Sequence, residues 1–396
     1  MTTNGKPIRV LYYEHPGPGV GGSRVSLMNL LLGLGEHVHA FVVADLPDEV
    51  AAGLPATSRV IPAPRSWAAA QDPSLGRWAK TARWWRYVLG ATFDLACMIR
   101  REQIDIVHGN NEVTSNAPAV LAAMLTQRPY VSHLRGTEPP MRETRWLFRY
   151  VDHYIAISEH VLDFYVQEGV VSRQAASVIY NGIDVADLIQ RSDAARMSHP
   201  GHLRVGMFAR MIEYKGHAYF LEAARHIADR LPKAHFTVHG PLPHPAGPDG
   251  AYYESVLRQC REKGLTDQVV FAGPYSDVVA VMGQADVVLC CSPINNFERI
   301  LFEAMACGVP VVAFDAGGVR EVAVSEENCL LVPNRDAVAM AEAVVRLATD
   351  PALRDNLSRG GHKTAASLFD HRINAQRVLS IYRDLLTPHA HSSGAS

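Results

Sequence analysis

The stretch NNFERILFEAMACGVPVVAFDAGGVREV, Asn295 to Val322, decides the fold. A loop with two asparagines runs into a short helix that carries Glu298 and Glu303. The small-residue turn Cys307-Gly308 leads into a buried strand, Val309 to Phe314, and a second turn follows at Gly317-Gly318. A helix between glycine turns, with carboxylates on its first turns, belongs to a parallel α/β sheet that binds ligands outside the carboxyl ends of its strands.

Working outward, short β-branched runs alternate with helical patterns on both sides. IRVLYY (8–13) precedes a glycine turn and the helix-like SRVSLMNLLLGL. The strand-like runs VHAFVVA, IDIVHGN, YVSHLRG, HYIAIS and ASVIYNG follow, as in a sheet covered on both faces. The polar segment DLIQRSDAARMSHPGH, Asp187 to His202, carries a Pro-Gly and reads as a linker. After it the alternation restarts with LRVGMFAR, HFTVHGP, QVVFAGP, ADVVLCCSP, VPVVAFDAGG and CLLVP as strands.

This predicts two doubly wound domains, residues 1–190 and 203–370, facing a central cleft that is the expected ligand site. The amphipathic helix HRINAQRVLSIYRDLL (371–386) places Ile373, Val378, Ile381 and Leu385 near helical spacing. Residues 371–387 are expected to pack back on the first domain. The tail TPHAHSSGAS has the composition of a disordered end.

The chain has 396 residues, a formal net charge of −2, 48% hydrophobic and 20% charged residues. That balance fits a globular protein and gives no global argument for nucleic acid as a partner. The six cysteines form no C-x-x-C pair, so they read as small buried residues of a reducing compartment. The N-terminus lacks a signal-peptide pattern and no run reaches a membrane span, so a cytoplasmic location is expected.

Several separated motifs occur in one order: Gly21-Gly22, DHYIAISEHV followed by VIYNGID (178–184), FARMIEYKG (208–216), and FERILFEAMACGVPVVAFDAGGVREV. In this the chain resembles the retaining glycosyltransferases of family 4, which have the GT-B fold, over most of its length. The resemblance implies sugar transfer from a nucleoside-diphosphate sugar, UDP- or GDP-linked, to an acceptor hydroxyl or amine. It implies no covalent enzyme intermediate, no bound cofactor and no metal. Arg210 and Lys215, just past a strand end, take the diphosphate in that pattern. Glu303 is the second acid of the E-x7-E motif and takes the ribose diol, for which a carboxylate with two acceptor oxygens is suited.

The position eight residues before Glu303 departs from the motif: it is Asn295, an amide, and Glu298 stands where the family has a glycine. Asparagine still hydrogen-bonds sugar hydroxyls but offers no full charge. Four explanations stay open: an unusual donor sugar, Glu298 swinging in for the lost acid, weak or absent catalysis, or an ordinary donor that tolerates the amide. Arg299 is a candidate to offset repulsion between Glu298 and a diphosphate. Asn295, Asn296, Phe297, Glu298, Arg299 and Ile300 are expected to line the sugar and phosphate. Gly21 and Gly22 form a close-approach loop, and Gly240, Gly273 and Pro274 are candidates for donor contacts through the backbone. His133 or Arg135, at the end of VSHLRG, matches the histidine that the family carries near the reacting sugar. Asn181, Gly182 and Asp184 are read as shaping a hinge.

RWAKTARWWRYVLG (77–90) sets Trp78, Ala82, Trp85 and Leu89 on one helical stripe, with Arg77, Lys80, Arg83 and Arg86 beside it. It reads as an interfacial helix that touches anionic lipid at the inner face of the membrane, as a surface helix with its tryptophans turned inward, or as one wall of an acceptor pocket. Two other function classes stay open. One is a non-hydrolysing nucleotide-sugar epimerase of the same fold, and the other is a non-catalytic sugar-nucleotide-binding homologue.

Overall fold

The structure is a computed structural model and describes residues 6–14, 22–44, 51–63, 77–195, 202–244, 247, 249–294 and 297–387. Gly21, Asn295, Asn296, residues 196–201 of the expected linker and the tail beyond residue 387 lie outside the described residues. The chain divides into two compact units. One is Met1–Gly182 with His371–Ser396, and the other is Ile183–Asp370.

The first unit is a seven-stranded parallel sheet. Its strands are β1 (Ile8–Tyr13), β2 (Val38–Val43), β3 (Ser58–Ile61), β4 (Ile106–Gly109), β5 (Tyr130–Leu134), β6 (His153–Ala156) and β7 (Ala176–Val178), in the order β3-β2-β1-β4-β5-β6-β7. The helices are α1 (Gly22–Leu34), α2 (Arg77–Arg101), α3 (Ala117–Thr126) and α4 (Glu159–Gln167). Strands β4 and β5 are buried along their whole length, as strands of a sheet covered on both faces are, and their buried residues include the polar His108, Ser132 and His133.

The second unit repeats the plan with six strands: β8 (Arg204–Phe208), β9 (His235–His239), β10 (Val269–Gly273), β11 (Val287–Cys290), β12 (Val311–Phe314) and β13 (Leu330–Val332), in the order β10-β9-β8-β11-β12-β13. Its helices are α5 (Val185–Ala195), α6 (His217–Arg230), α7 (Gly250–Glu262), α8 (Val278–Met282), α9 (Arg299–Ala306), α10 (Ala337–Thr349) and α11 (Pro351–Leu368). The core of this unit gathers Phe220, Ile227, Phe236, Leu289, Phe314 and Val344 between sheet and helices. Both sheets reverse strand order beside their first strand, at β1/β4 and at β8/β11. Such a reversal opens a crevice at the carboxyl ends of the strands.

Helix α12 (His371–Leu386) packs on α1 in the first unit, where Ala375, Val378, Leu379 and Tyr382 join the core of Val10, Leu27, Leu31 and Ile155. Two sequence expectations are corrected here. Ile373, placed on the apolar face by spacing, is exposed, and the buried stripe runs instead through Asn374, Ala375, Val378 and Tyr382. Residues 185–195 are helix α5 and not linker. Val185, Leu188 and Ser192 form a narrow buried stripe, and the charges around it masked that stripe in the sequence. The boundary between units accordingly falls at Gly182/Ile183, where Ile183 bridges to Asp370.

Candidate active site

The β8/β11 crevice of the second unit is built by two loops. After β8 the chain runs through Ala209 and Arg210 into a single turn, Glu213–Lys215, and then into α6. Gly216 makes this possible: it has φ +78°, and a Cβ there would meet the carbonyl oxygen of Cys291 at 2.0 Å. The bare backbone thus lets the Lys215 turn lie directly against the end of β11. Ser292 ties the same two loops by donating from Oγ to the Tyr214 carbonyl at 2.8 Å.

After β11 the chain reaches Phe297, buried in a stack with Phe302 and Phe369, and then α9. Glu298 is the N-cap of α9, but its side chain does not cap it. The carboxylate turns to Lys215 instead, with Oε1 2.6 Å from Nζ, in an ion pair whose acid is only 10% exposed. For Lys215, burial works to lower the pKa, but the Glu298 charge and hydrogen bond overcome it and the net shift is upward. The first N–H groups of α9 are left without a side-chain cap, and a helix start of this kind attracts anions.

One turn along α9, Glu303 is 6% exposed. Burial raises its pKa, and the neighbouring Arg299 guanidinium counters in part. Arg299 Nε lies 2.8 Å from Glu303 Oε1, and the guanidinium bears on both that carboxylate and the Tyr275 hydroxyl. Tyr275 sits beside this pair, its hydroxyl pushed up to about 12 by burial, with Glu303 adding to the rise and Arg299 opposing it. Phe208, His239 and Tyr275 form an aromatic cluster around the ends of β8 and β9.

The expected residues distribute as follows. Lys215, Glu298, Arg299 and Glu303 cluster through their two ion pairs, and Phe297 and Ile300 are buried at the base of α9. Arg210 is exposed, 3.4 Å from the Tyr214 hydroxyl, and does not join that cluster. Glu298 pairs with Lys215, and Arg299 with Glu303. Gly240 and Gly273 end β9 and β10 in positive-φ conformations, and Gly240 N donates to Gly273 O at 2.8 Å, with Pro274 exposed just beyond. Tyr275 was not singled out from the sequence. Its ring contacts, set by the order of β8 to β10, have no local signature.

The β1/β4 crevice of the first unit is of another kind. Gly22 opens α1. His133 is buried on β5, and its Nε2 has no hydrogen-bond partner among the described residues. Arg135 donates to the Asn110 carbonyl at 2.8 Å, to Asn110 Oδ1 at 2.6 Å and to Asn181 Oδ1 at 2.5 Å. Asn110 Nδ2 and Ser23 Oγ both donate to Glu14. Burial, helped by Arg135, holds His133 well below the usual imidazole range. His108, hydrogen-bonded to Tyr382, is lowered to about 3 by burial and by Arg135. Glu14 and Asn110 were missed, because neither carries a motif and only the reversal of strand order makes them neighbours. A small cavity of about 10 Å³, the size of one water, lies among Ser26, His133, Asn181, Gly182 and His371.

Comparison with known proteins agrees with this architecture. Residues 20–187 match the model "Glycosyltransferase Family 4" and residues 202–350 match "Glycosyl transferases group 1". A D-inositol 3-phosphate glycosyltransferase from Saccharomonospora viridis is 37% identical over 145 residues, 35% of this chain but only 33% of that relative's length. A glycogen synthase from Mycobacterium tuberculosis is 24% identical over 401 residues, covering 95% of this chain and 94% of the relative. The crystal structure of Anabaena HepE in complex with UDP and glucose superposes with a TM-score of 0.73 at 20% identity, covering 94% of this chain and 99% of that one. The fold is that of the GT-B glycosyltransferases. With one family domain matched in each unit and the same architecture in both, the chain belongs to the family 4, group 1 glycosyltransferases.

Proposed function

We propose that the chain transfers a sugar from a nucleoside-diphosphate sugar to an acceptor hydroxyl or amine, with retention of configuration and with the donor held in the second unit. The observation that carries this reading is the cluster at the start of α9. Lys215 and Arg299 lie at a helix start whose first N–H groups have no side-chain cap. Cations beside an uncapped helix N-terminus favour an anion, and a diphosphate is one of matching charge.

In this reading Lys215 receives the diphosphate and Glu298 gives way to it. Arg210, on the exposed side of the same loop, meets the outer phosphate oxygens. Glu303 accepts from the ribose hydroxyls, and Asn295 to Arg299 face the sugar. The bond from the anomeric carbon to the phosphate oxygen breaks and a bond to the acceptor oxygen or nitrogen forms on the same face. The departing phosphate oxygen takes the acceptor proton. Charge grows on the phosphate as the bond breaks, so fixed cations stabilise the transition state more than the ground state. These cations serve the diphosphate in place of a metal ion. Acceptor contacts are assigned to the β1/β4 crevice around His133 and Gly22. The free thiols of the chain fit the cytoplasm.

HepE is titled as a complex with UDP and glucose, which makes a UDP-sugar the first donor to test and a GDP-sugar the second. A thermal-shift screen with UDP, GDP, dTDP, ADP and CDP, with and without magnesium, is the test. Stabilisation by one nucleotide, equal in both conditions, is expected. A ligand at a hundred times its Kd adds roughly 2.7 kcal/mol. A shift that requires magnesium removes the metal-free part of the reading, and no shift at all moves the non-catalytic homologue ahead. Product formed without any acceptor would identify an epimerase.

A further inference from the structure

Helix α2 has two faces of unlike fate. Val88, Ala91, Thr92, Leu95 and Ile99 are buried, and the helix packs there on α3. On the opposite side Trp78 is 88% exposed, Leu89 61% and Phe93 69%, with Ala82 exposed between them. Their spacing of four, seven and four residues keeps them on one stripe. Leu125, at the end of α3, is exposed beside the end of this helix, where Arg100 donates to its carbonyl at 3.4 Å. The reading that turned the tryptophans inward therefore fails for Trp78.

Three large apolar side chains aligned on an open helix face mark an interaction surface. The charges around them say with what. Lys80, Arg86 and Arg100 lie exposed on the same helix, whose only acid is Asp94, while Arg101 is paired at 3.1 Å with Glu102 just past its end. A second copy docked symmetrically on this face would bring like cations together. We infer that α2 lies flat on an anionic lipid surface, with Trp78, Leu89 and Phe93 entering the boundary between headgroups and acyl chains and the cations meeting lipid phosphates. An indole is suited to that depth because it is apolar with one polar edge. Among the described residues no helix is long and apolar enough to cross a membrane, so α2 would rest in the interface and not span it. This inference does not rest on the proposed sugar transfer.

The test is co-sedimentation of the full chain with vesicles of phosphatidylcholine alone and of phosphatidylcholine with phosphatidylglycerol, at low and high salt. The chain should pellet with the anionic vesicles and be partly released by salt. Leu89→Asp with Phe93→Asp should abolish pelleting while circular dichroism and Tm stay those of the unsubstituted chain, and Trp78→Ala should weaken it. Lys80→Gln with Arg86→Gln should cost roughly twenty-five-fold, about fivefold for each cation. Failure to pellet, equal pelleting on neutral vesicles, or an unchanged Asp double variant would overturn the inference. A dimer in sedimentation velocity that the Asp double variant dissolves would assign the face to a second copy and overturn it as well.

Discussion

At the β1/β4 crevice the cation Arg135 is held by amide and carbonyl oxygens of Asn110 and Asn181, whereas at the β8/β11 crevice Lys215 is held by a carboxylate. The two crevices share a strand order and differ in chemistry. Neutral imidazoles, side-chain amides and the buried Glu14 carboxylate, 3.9 Å from Arg24, fill the first, and Arg135 spends its donors on neutral oxygens there. The second carries two acid–base pairs, Lys215 with Glu298 and Arg299 with Glu303. A ligand that brings negative charge can replace the acid on Lys215 in the second crevice, whereas in the first Arg135 holds neutral oxygens and feels the charge of Glu14 without pairing to it. In the proposed reading the difference suits a charged donor in one unit and a hydroxyl- or amine-bearing acceptor in the other.

The largest expected effect comes from removing the charge that the comparison turns on. Lys215→Ala should lower turnover by roughly a hundredfold or more, the scale seen when a transition-state donor is lost. Glu298→Gln is added in a parallel variant so that no carboxylate is stranded, and near-normal sugar transfer in that double variant would end the role of Lys215. In the first unit Arg135→Ala should act on stability. It frees three acceptors in a half-buried network and should cost roughly 2–4 kcal/mol in chemical denaturation. Nucleotide affinity should stay as it was, and a selective loss of nucleotide binding would erase the distinction between the crevices.

Acid should expose the neutral imidazoles. His217 is lowered to about 4 by burial and by Lys215, and His108 to about 3 by burial and by Arg135. An imidazole with its folded pKa below the unfolded value of roughly 6.5 is protonated more readily in the unfolded chain. Its contribution is whole above about 6.5 and shrinks as pH falls toward the folded value. Stability should therefore decline between those limits, and His217→Gln should flatten part of the slope. A slope unchanged in that variant would refute the assignment. Glu298→Gln alone is expected to have the smallest effect, a several-fold gain in nucleotide affinity, because Lys215 no longer has to leave an acid. A loss of affinity would instead mean that Glu298 itself holds the donor.

The doubly wound plan was legible in the sequence because buried parallel strands such as those at Val288 and Val312 write unbroken apolar runs, and glycine marks the turns between. Helix α5 was not, because only Val185, Leu188 and Ser192 are buried among charged neighbours. The terminal helix was recognised, but Ile373 was favoured over Tyr382, whose hydroxyl is paired inside with Tyr12. Hydropathy ranks isoleucine as the more buried residue and does not register a satisfied hydroxyl. At the site, Lys215 and Glu303 were found through motif resemblance. The pair Lys215–Glu298 was not, since its members are 83 positions apart and meet only because β8 and β11 are neighbours. Asn295, the departure that first drew notice, lies outside the described residues, so its role rests on the sequence.

The most direct measurement is calorimetric titration of the nucleoside diphosphate selected by thermal shift, against its uncharged nucleoside, on the unsubstituted chain and on the Lys215→Ala, Glu298→Gln double variant. The account predicts that the diphosphate improves affinity by roughly tenfold or more in the unsubstituted chain, the scale of a charge-assisted hydrogen bond, and that the variant loses most of this margin. Equal margins in both proteins would contradict it and place the phosphate site away from α9.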